Sequence, residues 1–183
     1  TFRKDFPGDA PLIDPYDVYQ HLMDYWAETM QDDAYQIIHE GWKAVIEGKP
    51  NTDLIPTELV VARYFAAEQA DIDQYEADRE AISRQMEEMD EEHGSEDGLL
   101  NEAKTDKGKL TAKSVKDRLK AIEGDAEAAD ERQMLKAYAK LMQKETAAKE
   151  KVKDAQKALD AKVVAKYGRL TEDEIKALVV DDK

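Results

Sequence analysis

Few residues in this chain have the types and spacing that chemistry needs. The histidines His21, His39 and His93 could hold a metal or move a proton near neutrality, but none stands at helical ligand spacing from another. Cysteine is absent, which excludes thiolate metal sites and a disulfide framework. Carboxylates are too abundant to be diagnostic. Pairs such as Asp14 with Asp17, or Asp32 with Asp33, read as helix caps and solvated faces rather than acid–base dyads. The stretch from Asp90 to Glu102 (DEEHGSEDGLLNE) has its glycines and final glutamate at the wrong offsets for a calcium loop, so it reads as a surface turn. Neither GxxxxGK[ST] nor GxGxxG occurs, and no serine or lysine has the setting of a nucleophile. The expectation is a non-catalytic chain with no catalytic, cofactor-binding or metal-binding residue of its own. One stretch retains a binding chemistry. Lys104, Lys107, Lys109, Lys113, Lys116, Arg118 and Lys120 cluster, and Lys113, Lys116 and Lys120 are the candidate contacts to a DNA backbone. The competing reading is a solvated loop.

The elements that would carry these residues are helices. Of 183 residues 38% are charged, 42% hydrophobic, and glycine and proline number only 8 and 5. Such a chain buries a modest core and solvates long helix surfaces. The formal charge of −15 repels phosphate at long range and argues against autonomous DNA binding. No apolar run approaches the length of a membrane span, no signal peptide is visible, and the lack of cysteine suits a cytoplasmic protein. The chain opens on Thr1 rather than Met, which suggests a processed or excised piece of a larger protein.

Residues 1–13 read as a leading loop. Asp14-Pro15 is a helix start, with Asp as N-cap and Pro at the first helical position. Tyr19, Leu22, Met23, Trp26 and Met30 then share one helix face, and a second short segment through Ile37 and Ile38 ends at Gly41. The aromatics of this stretch (Tyr16, Tyr19, Tyr25, Trp26, Tyr35 and Trp42) are expected to form a small core. The alternative is an exposed patch that packs on a neighbouring domain. Residues 47–56 form a connection. A first long helix begins at Pro56-Thr57-Glu58 and runs unbroken to about His93, on the order of 50 Å. The tip spans 94–124, with a short helix from Thr111 to Ile122. A second long helix runs from about Asp125 to Tyr167, and the capping-box sequence Thr171–Glu174 starts a terminal helix. The fold class is therefore all-α. An aromatic-rich helical base covers 1–55, a long antiparallel coiled-coil-like hairpin 56–168, and a short helix and tail 169–183.

Both long helices carry heptad seams. The first holds Val61, Phe65, Glu68, Ile72, Tyr75, Arg79, Ile82, Met86 and Met89. The second holds Leu135, Tyr138, Met142, Glu145, Lys149, Val152, Gln156, Leu159 and Val163. One antiparallel register sets apolar against apolar and polar against polar. Met89 meets Leu135, Ile82 meets Met142, Arg79 faces Glu145, Tyr75 faces Lys149, Ile72 meets Val152, Glu68 meets Gln156 and Phe65 meets Leu159. A two-helix hairpin keeps much apolar surface wet, so a partner that adds helices is expected. The expected outer docking face is Tyr64, Ala67, Met134, Leu141 and Ala148. Pairing with a second copy of the chain is a further possibility.

The stretch Ile13–Asp33 (IDPYDVYQHLMDYWAETMQDD), followed by Gly41-Trp42-Lys43, resembles a segment of the modification subunit (HsdM) of type I restriction–modification systems. In the longer members of that family the segment lies beyond the methyltransferase domain. The resemblance implies a parent that is a DNA adenine-N6 methyltransferase using S-adenosylmethionine. It also implies assembly with a specificity subunit and, for cleavage, with a restriction subunit. The family's Asn-Pro-Pro-aromatic and cofactor motifs do not occur here, so no catalytic residue carries over. The family's C-terminal helices pack on the coiled coil of the specificity subunit, and the hairpin is the element expected to do so here. DNA would be reached through that assembly.

Overall fold

The computed structural model describes residues 14–183, which form helices almost throughout, with one two-stranded ribbon. The chain divides into two compact units. One joins the described residues up to Tyr64 with Val163–Lys183, and the other is Phe65–Lys162. These do not follow boundaries at 55 and 168. The start of the expected hairpin and the end of its second helix belong with the base, because the base's buried residues come from both.

In the first unit, α1 (Pro15–Thr29) is capped by Asp14, whose carboxylate accepts from the Tyr16 amide at 2.9 Å. It breaks at Met30, and α2 (Gln31–Glu40) follows, ending on Gly41 at φ 76°. At the start of the expected connection, and reaching back before it, lies a ribbon, β1 (Val45–Ile46) paired antiparallel with β2 (Lys49–Pro50). Its turn needs positive φ at both Glu47 and Gly48, which matches the twist of a tight hairpin. Asn51, 5% exposed, is held on both ends of its side chain: its amide donates to the Lys43 carbonyl, and its oxygen accepts from Gln36 and the Leu54 amide. Then come α3 (Thr57–Tyr64) and, at the far end of the chain, α7 (Glu172–Val180), held by a reciprocal Thr171–Glu174 capping box. Leu54, Ile55, Val60, Val163, Tyr167, Ile175 and Leu178 are buried here. The Tyr167 hydroxyl donates to the Ile55 carbonyl, which satisfies a buried polar tip.

In the second unit, α4 (Ala66–His93) runs antiparallel to α6 (Ala129–Tyr167, which continues into the first unit). The unbroken first helix expected from Pro56 is interrupted at Phe65, whose φ −135° and ψ 25° are not helical. No local breaker causes this. The residues just before it are tied to the C-terminal segment, Arg63 to Asp182 at 2.6 Å and Tyr64 to Glu174 at 3.1 Å. Tertiary contacts here override helix propensity.

Between the long helices the tip has a core of its own. Leu100, Ala103, Val115, Ile122, Leu135 and Tyr138 are buried together, with Met86, Met89, Leu110, Leu119, Met134 and Met142 packed around them. A 3-10 turn (Asn101–Ala103) and a bridge between Lys104 and Leu110 lead to α5 (Ala112–Ala121), which is capped reciprocally by Thr111 and Ser114. The short helix expected from Thr111 to Ile122 is present, and Lys107, Lys109, Lys113, Lys116 and Lys120 of this stretch are exposed to solvent. Val115, Leu119 and Ile122 at spacings of four and three turn one side of the segment inward.

Candidate docking surface

The lysines of the tip divide by role. Lys104 lies 2.8 Å from both Asp90 Oδ1 and the Gly94 carbonyl, and Arg118 grips both Glu131 oxygens at 2.6 and 3.0 Å. That carboxylate raises the pKa of Arg118, so both cations serve the fold. Lys113, Lys116 and Lys120 are exposed on α5, opposite Val115. Between Lys104 and Ile122 seven Lys and Arg stand against two Asp, in a chain whose total is −15. Asp117 shares the face of Lys113 and Lys120 and dilutes it.

On α4 the expected seam residues Phe65, Glu68, Tyr75, Arg79, Ile82 and Met86 are half-buried and Ile72 is buried. On α6, Leu135 and Leu159 are buried, and Met142, Glu145 and Val152 half-buried. Lys149 and Gln156 are not in the seam. Both are exposed, and Ala148 and Ala155 take the inward places. A straight helix drifts from a strict heptad, and the alanines let α6 follow that drift without desolvating a lysine.

The polar pairs across the hairpin differ from those expected. Glu145 accepts from Ser83 at 3.1 Å and pairs with Lys149 at 2.8 Å. Those contacts lower its pKa, Lys149 most strongly, and Arg79 acts only as a weaker nearby charge. The Tyr75 ring lies under the ammonium of Lys151, not Lys149, with 3.7 Å to the centroid. Glu68 pairs with Lys162 at 3.0 Å instead of meeting Gln156, which donates to Asp160 on its own helix.

The five residues expected to form an outer docking face do not share one. Met134 packs on the tip core and Ala148 turns into the seam. Tyr64 belongs to the base, its hydroxyl donating to Glu174 and its ring 3.9 Å from Lys166 Nζ; burial and Glu174 raise its pKa. Ala67 is exposed and Leu141 half-buried.

The free apolar surface lies elsewhere. Tyr16, Tyr19, Leu22, Met23, Tyr25, Trp26 and Met30, with Tyr35 and Ile38 of α2, are between 37% and 76% exposed. Among the described side chains of α1, Val18, Trp26 and Met23 are partly covered, and none is buried. This corrects the small aromatic core expected from the same residues. Among the described residues, side-chain hydrogen bonds tie α2 to the rest of its unit, Gln36 to Asn51 and Asp33 to Lys183. Those of α1 run within the helix, Gln20 to Asp24 and Thr29 to the Tyr25 carbonyl. Charge on this stretch has one sign. From Asp14 to Trp42 there are seven Asp and Glu and no Lys or Arg.

Among the described residues, no group of three or more His, Cys, Asp or Glu side chains is placed to hold a metal. No described helix is long and apolar enough to cross a membrane. Comparison with protein-family models, with curated proteins and with solved structures finds no match.

Proposed function

We propose that the chain is a non-catalytic assembly module, the C-terminal region of a type I modification subunit, and that it joins a methyltransferase to its specificity subunit by packing helix on helix. The observation that carries this reading is the uncovered apolar face of α1 and α2. Large apolar side chains gathered in the open on one helix pair are what protein interfaces cover. The α1 part of that face, Tyr16 to Met30, falls within the stretch that bears the family resemblance, Ile13–Asp33. In this reading S-adenosylmethionine binds in the parent's methyltransferase domain, and the restriction subunit joins the same complex.

The test is light scattering coupled to size exclusion, with and without the central coiled coil of the specificity subunit. A stable complex of defined stoichiometry is expected, and absence of any complex at micromolar concentrations overturns the assignment. A second reading, contact with a DNA backbone, is favoured by the exposed Lys113, Lys116 and Lys120. It requires affinity for duplex DNA that falls steeply with salt and is lost in Lys113→Glu with Lys116→Glu.

A further inference from the structure

The surface on α1 and α2 also specifies the chemistry of what covers it, an inference that rests on the assembly reading above. Tyr19, Leu22 and Trp26 form a ridge at spacings of three and four along a helix about 22 Å long. Such a ridge fits the groove of another helix. On the same elements Asp17, Asp24, Glu28 and Asp32 are exposed, and none has an ion-pair partner among the described residues.

A second observation shows what the acidic edge accepts. Glu28, Asp32, Asp33 and Asp53 line a cleft at the junction of α1 and α2, and the ammonium of Lys183 is seated in it. Its Nζ lies 2.6 and 2.8 Å from the two Asp33 oxygens and 3.5 Å from the Asp53 and Leu54 carbonyls. We propose that the α1–α2 face receives a partner helix whose apolar ridge is flanked by lysine or arginine. Such flanks would pair with the free carboxylates and stack their cations on the exposed tyrosines. A second copy of this chain is disfavoured, since a symmetric pairing sets the five carboxylates that have no ion-pair partner among the described residues, Asp14, Asp17, Asp24, Glu28 and Asp32, against the same five of the other copy. An anionic bilayer is repelled for the same reason.

The experiment uses the full chain and two synthetic helical peptides that share a leucine ridge and differ only in lysine or glutamate flanks. By fluorescence anisotropy the lysine peptide binds at least about tenfold more tightly at low salt. That preference shrinks at about 0.5 M salt, where the screening length is only a few ångströms. Leu22→Ser with Trp26→Ala abolishes binding, and Asp24→Lys with Glu28→Lys reverses the preference. Equal affinity for the two peptides, no binding of either, or binding that survives Leu22→Ser with Trp26→Ala overturns the proposal. So does a dimer in light scattering that the same double substitution dissociates. Peptide discrimination without a specificity-subunit complex would overturn the family assignment alone; a complex that survives Leu22→Ser with Trp26→Ala would overturn this surface alone.

Discussion

Two short helices of this chain have amphipathic patterns and opposite fates. In α5, Val115 and Leu119 are covered by Leu100, Leu135, Tyr138 and their neighbours, and the lysines face water. In α1, Tyr19 and Leu22 face water and Trp26 stays partly exposed. The stability of α5 comes from tertiary burial, whereas α1, with no buried side chain among those described, relies more on its Asp14 cap and its own backbone bonds. An isolated helix of that length is marginal in water. The contrast teaches that an amphipathic pattern states which face is apolar and not what covers it.

The sharpest way to break this contrast is truncation. Leu135→Ala removes a fully buried side chain from the tip core and is expected to cost about 2–5 kcal/mol in thermal or denaturant unfolding. Leu22→Ala, on a side chain 62% exposed, is expected to shift stability by less than about 0.5 kcal/mol. Equal losses would show that α1 is packed after all. A smaller effect is expected of Asp14→Ala, which removes the cap bond to Tyr16 and weakens α1 by about 1 kcal/mol. Circular dichroism should register fewer helical residues while the melting of the tip is unchanged.

The smallest effect concerns pH and leaves both helices intact. Lys166, foremost, with the Thr171 amide and Tyr64, holds the Glu174 carboxyl down to about 2. Its unfolded value lies near about 4.3. The folded pKa is the lower one, so its contribution is complete above the unfolded value and is lost as pH falls from there through about 2. Glu174→Gln should flatten that acid limb in pH-dependent unfolding without altering the transition of the tip.

Much of the fold was legible because its signals are local. Asp14-Pro15, Gly41 and the Thr171–Glu174 box set helix ends whatever surrounds them. The all-α class and the antiparallel long helices follow from periodicity over many turns. The break at Phe65 was not legible, since it depends on Arg63 and Tyr64 reaching residues more than a hundred positions away. Exchange of Lys149 and Gln156 for Ala148 and Ala155 in the seam reflects cumulative helical drift, which a strict heptad conceals. The apolar residues of α1 were legible as a face, while their exposure was not. Aromatic composition raises the expectation of a core wherever nothing reveals the missing cover. The cleft holding Lys183 had no signal at all, because a single lysine gives no sign of where its ammonium is placed.

One contact of the tip reaches further than its size suggests. The last turn of α4 carries Asp90, Glu91 and Glu92 at the end where a helix dipole disfavours negative charge. Lys104, from beyond the 3-10 turn, places its ammonium against Asp90 and the Gly94 carbonyl. Beyond His93, which lies 3.8 Å from Glu92, the end of α4 has no cation of its own and borrows one from the tip. Opening the tip would leave that turn electrically uncompensated, so it would fray in the same event. The two segments should behave as a single cooperative unit in native-state hydrogen exchange, with amides of α5 and of the last turn of α4 sharing one opening free energy.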